Sequence, residues 1–71
     1  MDARNKAFPL YSLAAARVNA KLTQKEFAAK CGVSESTVIA WETGRRLPNV
    51  KMLGTIESAL GMSLDFIRFD A

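Results

Sequence analysis

The sequence predicts an all-α fold of five short helices around one hydrophobic core. Three observations carry this prediction: apolar residues recur at helical spacing in separate segments, side chains that cap helices precede those segments, and glycines follow three of them. No stretch shows the alternation of a half-buried strand. With 71 residues, 49% of them hydrophobic, the chain can form one domain but not two. We expect a flexible arm at residues 1–8, the domain at 9–69 and a tail at 70–71.

The first segment predicts a helix from Pro9 or Leu10 to about Ala20. Proline suits a first helical turn, because the N–H that it lacks would have no helical partner there. The alanine-rich run that follows is a good helix former. Leu10 and Leu13 share one face of this helix, and Arg17 lies one turn further along that face.

The best-defined segment runs from Thr23 to Gly44 and predicts two short helices joined by a tight turn. Thr23 and Glu26 form a capping box, in which each side chain accepts a hydrogen bond from a backbone N–H of the first turn. Gly32 should end the second helix in a left-handed conformation, and Ser34 should cap the third. Four apolar side chains can meet across the turn, which makes them core candidates: Phe27, Val33, Val38 and Trp41.

The fourth helix is expected from about Val50 to Leu60, with Asn49 as its N-terminal cap. Its apolar residues, Val50 included, keep helical spacing. Gly54 lies inside this helix, where glycine costs about 1 kcal/mol relative to alanine. We therefore expect a neighbouring helix to approach Gly54 closely.

The last segment predicts a fifth short helix from Leu64 to about Phe69. Gly61 is placed to end the fourth helix, and Ser63 is placed to cap the fifth. The chain contains no internal repeat and no low-complexity tract, so nothing divides the five helices into separate units.

The central segment resembles a known family. Thr-Gln-x-Glu-Phe-Ala at 23–28, Gly-Val-Ser at 32–34 and Trp-Glu-x-Gly at 41–44 are similar to the Cro/phage-repressor (XRE-type) helix-turn-helix family. The resemblance extends from about Leu13 to the Leu-Gly-Met-Ser-Leu-Asp segment at 60–65. It implies a lambda-repressor-like fold with helices 2 and 3 as the helix-turn-helix. It also implies a transcriptional regulator of the phage or prophage repressor type, which binds a near-palindromic double-stranded DNA operator as a homodimer.

In this family the third helix, here about residues 35–43, reads bases in the major groove. The chain departs from several phage repressors, which carry glutamines in this helix, so the resemblance implies no particular operator. Glu35 has a second interpretation, as a charge that favours the start of the helix, and Ile39 is equally open to packing against the protein. The expected base-reading residues are Glu35, Ser36, Thr37, Ile39 and Ala40.

Basic residues lie on both sides of the helix-turn-helix, although the net charge of the chain is only +3. Their placement indicates contact with a phosphate backbone; the alternative for each is a solvated side chain. The expected phosphate-binding residues are Gln24, Lys25, Arg45, Arg46 and Lys51. Residues 1–8 are either a frayed end or a basic arm in which Arg4 and Lys6 reach DNA.

The resemblance also implies an ion pair between Arg17 and Glu42, which would connect the first helix to the recognition helix. The alternative is a solvated arginine. Gln24 is implied to brace the same helix while it contacts a phosphate. Such a pair would position helices more than it would stabilise them, because its desolvation offsets much of its attraction.

Reading successive major grooves requires two recognition helices about 34 Å apart, and one chain supplies only one. A dimer is therefore expected. Its expected face consists of Met62, Leu64, Phe66 and Phe69. The alternative is that Leu64, Phe66 and Ile67 close the core of a single chain while Phe69 is frayed.

Catalysis is not expected, because the chain has no histidine, one cysteine, no glycine-rich phosphate loop and no cluster of metal ligands. No cofactor, metal or small-molecule ligand is expected, and no apolar run is long enough to cross a membrane. The expected location is the cytoplasm of a prokaryote, at the nucleoid, with a phage-encoded origin possible. The competing function is a protein-interaction module, such as an antitoxin-like partner, that uses the same fold.

Overall fold

The computed structural model describes residues 10–69, which form four α-helices, one 3-10 turn and one pair of two-residue strands. The all-α prediction is confirmed, with four α-helices instead of the expected five. The expectations for residues 1–8, Pro9 and residues 70–71 lie outside the described residues. In chain order the elements are β1 (Tyr11–Ser12), α1 (Leu13–Asn19), α2 (Gln24–Cys31), α3 (Glu35–Glu42), α4 (Val50–Leu60), the 3-10 turn (Leu64–Phe66) and β2 (Ile67–Arg68).

Helix α1 begins at Leu13, so the predicted start at Leu10 was wrong. The physical reason is Ser12, which has extended backbone and whose hydroxyl accepts a hydrogen bond from the backbone N–H of Ala15 at 3.0 Å. A serine in this role ends the extended segment and starts the helix. Leu10 consequently lies outside the helix, with 49% of its surface exposed.

The predicted fifth helix was also wrong. A 3-10 turn is followed by strand β2, which pairs with β1 in parallel, Tyr11 opposite Ile67 and Ser12 opposite Arg68. Within this strand Ile67 is buried and Arg68 is exposed, as expected for a strand against a core. The carboxylate of Glu57 accepts from the backbone N–H of Leu64 at 3.1 Å, which ties the turn to α4.

The predicted ends of the central helices are confirmed. Thr23 and Glu26 form the capping box, with hydrogen bonds of 3.0 and 2.8 Å. Gly32 and Gly61 follow α2 and α4 with left-handed φ angles of 72° and 64°. Asn49 caps α4 by accepting from the backbone N–H of Met52 at 2.9 Å. These capping residues define where the two helices begin and end.

The core lies where α1, α2, α3, α4 and β2 meet. Phe27 and Trp41 pack edge to face across the helix-turn-helix, with their ring centroids 6.4 Å apart, and Val33 packs at the edge of the core. Val50 does not join the face predicted for α4, since 84% of its surface is exposed. The buried residues are Leu13, Ala16, Phe27, Ala28, Cys31, Val38, Trp41, Ile56, Leu60 and Ile67.

Gly54 has no close neighbour, so the expected approach of another helix of this chain was wrong. A Cβ built on Gly54 meets no other part of the described fold within 4 Å. The residue is exposed in the middle of α4. Nothing within residues 10–69 therefore requires a glycine there.

We predict that Gly54→Ala raises the free energy of unfolding by about 1 kcal/mol, because alanine has a higher helix propensity and its methyl group enters open space. Urea unfolding followed by circular dichroism measures the change. The matched control is Gly61→Ala, which should lower stability by about 1 kcal/mol because its φ is left-handed. Destabilisation by both substitutions would contradict the open position of Gly54.

Candidate nucleic-acid interface

Helix α3 is held against α2 by a short turn with little freedom. Ser34, the cap of α3, stands two residues after Gly32, and the N–H of Val33 donates back to the carbonyl of Ala28 at 3.0 Å. Val38 and Trp41 bury one face of α3 in the core. The opposite face must therefore point away from the protein.

The outward face carries the residues that the sequence predicted as base readers. Glu35 and Ser36 are exposed, Thr37 and Ala40 are half-buried, and Ile39 retains 37% exposure. All five lie on α3, where they cover the part of the helix that Val38 and Trp41 leave outside the core. Glu35, Ser36 and Ile39 are the most available of the five to a ligand from outside, and Thr37 and Ala40 are less so.

A cluster of hydroxyls at the start of α3 was not anticipated. The Oγ of Ser34 lies 3.0 Å from the Oγ of Ser36 and 3.0 Å from the Oγ1 of Thr37. It also accepts from the backbone N–H of Thr37 at 3.2 Å. The cap of the helix therefore restrains two of the predicted base readers. The sequence signal was the spacing Ser-x-Ser-Thr at residues 34–37.

The two arginines after α3 are anchored through their backbone. The N–H groups of Arg45 and Arg46 donate to the carbonyl of Ala40 at 2.9 and 3.3 Å, while both residues are exposed. Lys25 in α2 and Lys51 in α4 are also exposed. Within residues 10–69 none of these four side chains forms an ion pair. Four positive charges without an ion pair in this range thus lie on α2, on α4 and in the loop that follows α3.

Next to α3 lies a partly buried group of polar residues that we call the Arg17 clamp: Arg17, Gln24 and Glu42, with the carbonyl of Leu22. Arg17 donates through Nε to Oε2 of Glu42 at 2.6 Å and through Nη1 to the Leu22 carbonyl at 2.8 Å. The amide of Gln24 donates to Oε1 of Glu42 at 3.0 Å. The Arg17 and Glu42 side chains are only 14% and 6% exposed. The clamp joins α1, the start of α2 and the last residue of α3.

The four residues expected at a dimer face are all half-buried within one chain. Met62, Leu64 and Phe69 pack partly against the core, so Phe69 is not frayed. Ile67 is buried, with 6% exposure. Three large apolar residues that the sequence did not predict to be on the surface are strongly exposed: Val18 at 62%, Leu47 at 69% and Val50 at 84%.

The described residues contain no group of side chains arranged to hold a metal ion. None of the helices in residues 10–69 is long and apolar enough to cross a membrane. Cys31 is buried as a free thiol, and its burial raises the pKa of the thiol above the usual value. A raised pKa disfavours the reactive thiolate, so Cys31 is a packing residue in this fold.

These features define a helix-turn-helix domain, and comparisons with known proteins identify its family. A helix-turn-helix family profile matches residues 13–67. The chain therefore belongs to the Cro/C1-type (XRE) helix-turn-helix family, whose members are DNA-binding transcription regulators rather than enzymes.

Similar curated proteins come from both eukaryotes and bacteria. Multiprotein-bridging factor 1 of Debaryomyces hansenii is 43% identical over 49 residues, covering 69% of this chain and 33% of that protein. Human endothelial differentiation-related factor 1 is 42% identical over 43 residues, 61% of this chain and 29% of that protein. The uncharacterized HTH-type transcriptional regulator YqaE of Bacillus subtilis is 39% identical over 51 residues, 72% of this chain and 44% of that protein. The matched segment thus spans less than half of each relative. No solved structure was found to match the chain.

We predict that Glu42→Ala destabilises the fold by about 3 kcal/mol, because it leaves the Arg17 charge and the Gln24 amide buried without their partner. Urea unfolding measures the loss. The control is the double variant Arg17→Met/Glu42→Leu, which removes both charges and should recover most of the stability. A double variant less stable than Glu42→Ala would contradict this explanation. It would show that the ion pair itself stabilises the fold, and not only that an unpaired charge destabilises it.

Proposed function

We propose that this chain is a sequence-specific regulator that reads double-stranded DNA in the major groove with α3. The observation that supports this best is the exposed polar face of α3, which the Arg17 clamp and the buried Val38 and Trp41 hold in a fixed orientation. A rigid helix that presents short polar side chains fits the width of the major groove.

The base-reading set of the proposal is the outward face of α3. Glu35 can accept a hydrogen bond from a cytosine amino group, and Ser36 can donate or accept. The methyl groups of Thr37 and Ala40 can contact the methyl group of thymine, with Ile39 as a further apolar contact. Ser34 restrains the side chains of Ser36 and Thr37. These two side chains would therefore lose less conformational entropy when they contact the bases.

The phosphate-binding set of the proposal surrounds that face. Arg45 and Arg46 are the main members, because their backbone is tied to the end of α3 while their side chains are exposed. Gln24 begins α2, where backbone N–H groups favour a phosphate. Lys25 and Lys51 complete the set. Phosphate contacts supply affinity and register, and base contacts supply the choice of sequence.

The proposed regulator acts as a homodimer on a near-palindromic operator, since one chain carries one α3. The half-buried Met62, Leu64, Phe66 and Phe69 remain the proposed contact, with Leu47 and Val50 as a second apolar surface. The narrower expectation of a phage-type repressor stays a prediction, because the matched relatives include yeast and human proteins.

Sedimentation of the DNA-bound protein separates the two dimer surfaces. Phe66→Ala should shift the complex from two chains to one on a single operator, because it removes buried apolar contact. Val50→Asp, a substitution at the other surface, should leave the ratio unchanged. The reverse pattern would place the dimer contact at Leu47 and Val50.

A second candidate function is contact with other regulatory proteins. It is supported by the names of the yeast relatives, Multiprotein-bridging factor 1, which share 43% identity with this chain over 49 residues. Under this reading the helix-turn-helix fold would present a surface to proteins in place of, or in addition to, DNA. It corresponds to the interaction module that the sequence left open.

The proposed function is tested by selecting bound duplexes from a random pool at two salt concentrations. A regulator of the proposed kind should recover a palindrome with half-sites about one helical turn apart. Recovery of no duplex above background at either salt would leave only the second candidate.

Two classes of variant should then respond differently. Arg46→Ala should weaken binding to every duplex and reduce the slope of log affinity against log salt by about one. Ser36→Ala or Thr37→Ala should change which sequences are recovered while the salt slope stays the same. Lys30→Ala is the matched control for charge, since it removes one positive charge from the far end of α2. Equal losses on all duplexes for both classes would contradict the assignment of base readers.

A further inference from the structure

A shallow depression runs between the C-terminal end of α2 and one face of α4. Its volume is about 510 Å³. Its floor consists of small residues of α4, and a lysine stands on each helix beside it. The lining residues are Lys30, Lys51, Gly54, Thr55, Ser58 and Ala59. We call it the α2–α4 groove.

The floor of the α2–α4 groove contains a glycine that the described fold does not need. A glycine inside a helix costs about 1 kcal/mol relative to alanine. No close contact within residues 10–69 offsets this loss of helix stability, since a Cβ on Gly54 meets nothing within 4 Å. Glycine is the residue that lets another backbone come close. An approach from outside the described fold would use the space that Gly54 leaves open.

Both charged residues that line the groove are lysines, Lys30 and Lys51. Neither forms an ion pair within residues 10–69. The carboxylates of Glu26 and Glu57, which do not line the groove, accept hydrogen bonds from the backbone N–H groups of Thr23 and Leu64. The groove thus presents two free ammonium groups above a floor of hydroxyl and methyl groups. These groups are complementary to carboxylates and do not favour binding of an apolar surface.

We propose that the α2–α4 groove binds an acidic helix of a partner protein. The partner helix would cross α4 at Gly54, where small side chains allow the two backbones to approach, in the manner of ridges packed into grooves. Its glutamates or aspartates would pair with Lys30 and Lys51. The hydroxyls of Thr55 and Ser58 would accept or donate hydrogen bonds along the contact.

The proposed contact leaves the recognition helix free. None of the residues that line the groove lies on α3. Lys51 is the one residue assigned both to the groove and to the phosphate-binding set, so it cannot distinguish the two surfaces. Lys30 and Gly54 belong to the groove alone and therefore carry the test.

The test selects binders from a displayed library of alanine-based helical peptides, randomised along one face, with the whole chain as the target. The expected result is enrichment of Asp and Glu beside Gly, Ala or Ser at helical spacing. The best synthetic peptide should perturb amide NMR signals at the end of α2 and in α4. Enrichment of basic or purely apolar peptides, or perturbations confined to α3, would overturn the proposal.

Two variants test whether the selected peptide binds in the α2–α4 groove. Lys30→Glu should weaken binding of the selected peptide about tenfold or more, because it places like charges together. Gly54→Ala should weaken peptide binding while it raises thermal stability, which a structural defect could not do. Unchanged peptide affinity in both variants would overturn the proposal.

The matched control is Lys25→Glu, which makes the same charge reversal five residues earlier on α2. It should weaken binding to duplex DNA and leave peptide binding intact, with the opposite pattern for Lys30→Glu. If Lys30→Glu instead reduced DNA affinity as much as Lys25→Glu, and duplex DNA displaced the peptide, the groove would be a DNA contact and not a protein contact.

Discussion

One largely buried ion pair connects α3 to the first helix of the fold. Arg17 and Glu42 are 25 residues apart in sequence, yet their side chains meet at 2.6 Å with little exposure to solvent. Glu42 is the last residue of α3, so its carboxylate fixes the end of that helix relative to α1 and, through Gln24, to the start of α2. A buried pair of this kind adds little net stability, since desolvation opposes its attraction. Its contribution is orientation, because its hydrogen bonds join α1, the start of α2 and the end of α3.

Much of this arrangement could be predicted from the sequence, because it follows from local chemistry. The capping box of Thr23 and Glu26, the left-handed Gly32 and the cap Ser34 each act within a few residues. They therefore fix the helix-turn-helix without knowledge of the rest of the fold. The core positions Phe27, Val38 and Trp41 follow from the same short segment. The resemblance to a family supplied the long-range pair of Arg17 with Glu42, which periodicity alone would not have given.

The errors fall where distant parts of the chain decide the structure. Leu64–Phe69 has apolar residues at spacings that suit a short helix, but Ile67 pairs with Tyr11, 56 positions earlier in the sequence, and becomes a strand. The observed start of α1 differs from the predicted start for the same reason. Ser12 is both a member of that strand pair and the N-terminal cap of the helix. The residue pattern of one segment does not show whether a strand elsewhere in the chain will pair with it. The expectation for Gly54 was wrong for a different reason: the helix glycine indicated a close neighbour, and none lies against it within residues 10–69.

The parallel pairing of β1 with β2 has a mechanical consequence. Parallel strands require a crossover connection, and here the crossover contains all four helices. The polypeptide therefore enters and leaves the helical body along one seam, at neighbouring strands that run in the same direction. Tension applied through segments attached at both sides would load the Tyr11–Ile67 and Ser12–Arg68 pairs in shear, before it reached the clamp or α3. The strand pair therefore lies between the points where tension enters and the surface of α3.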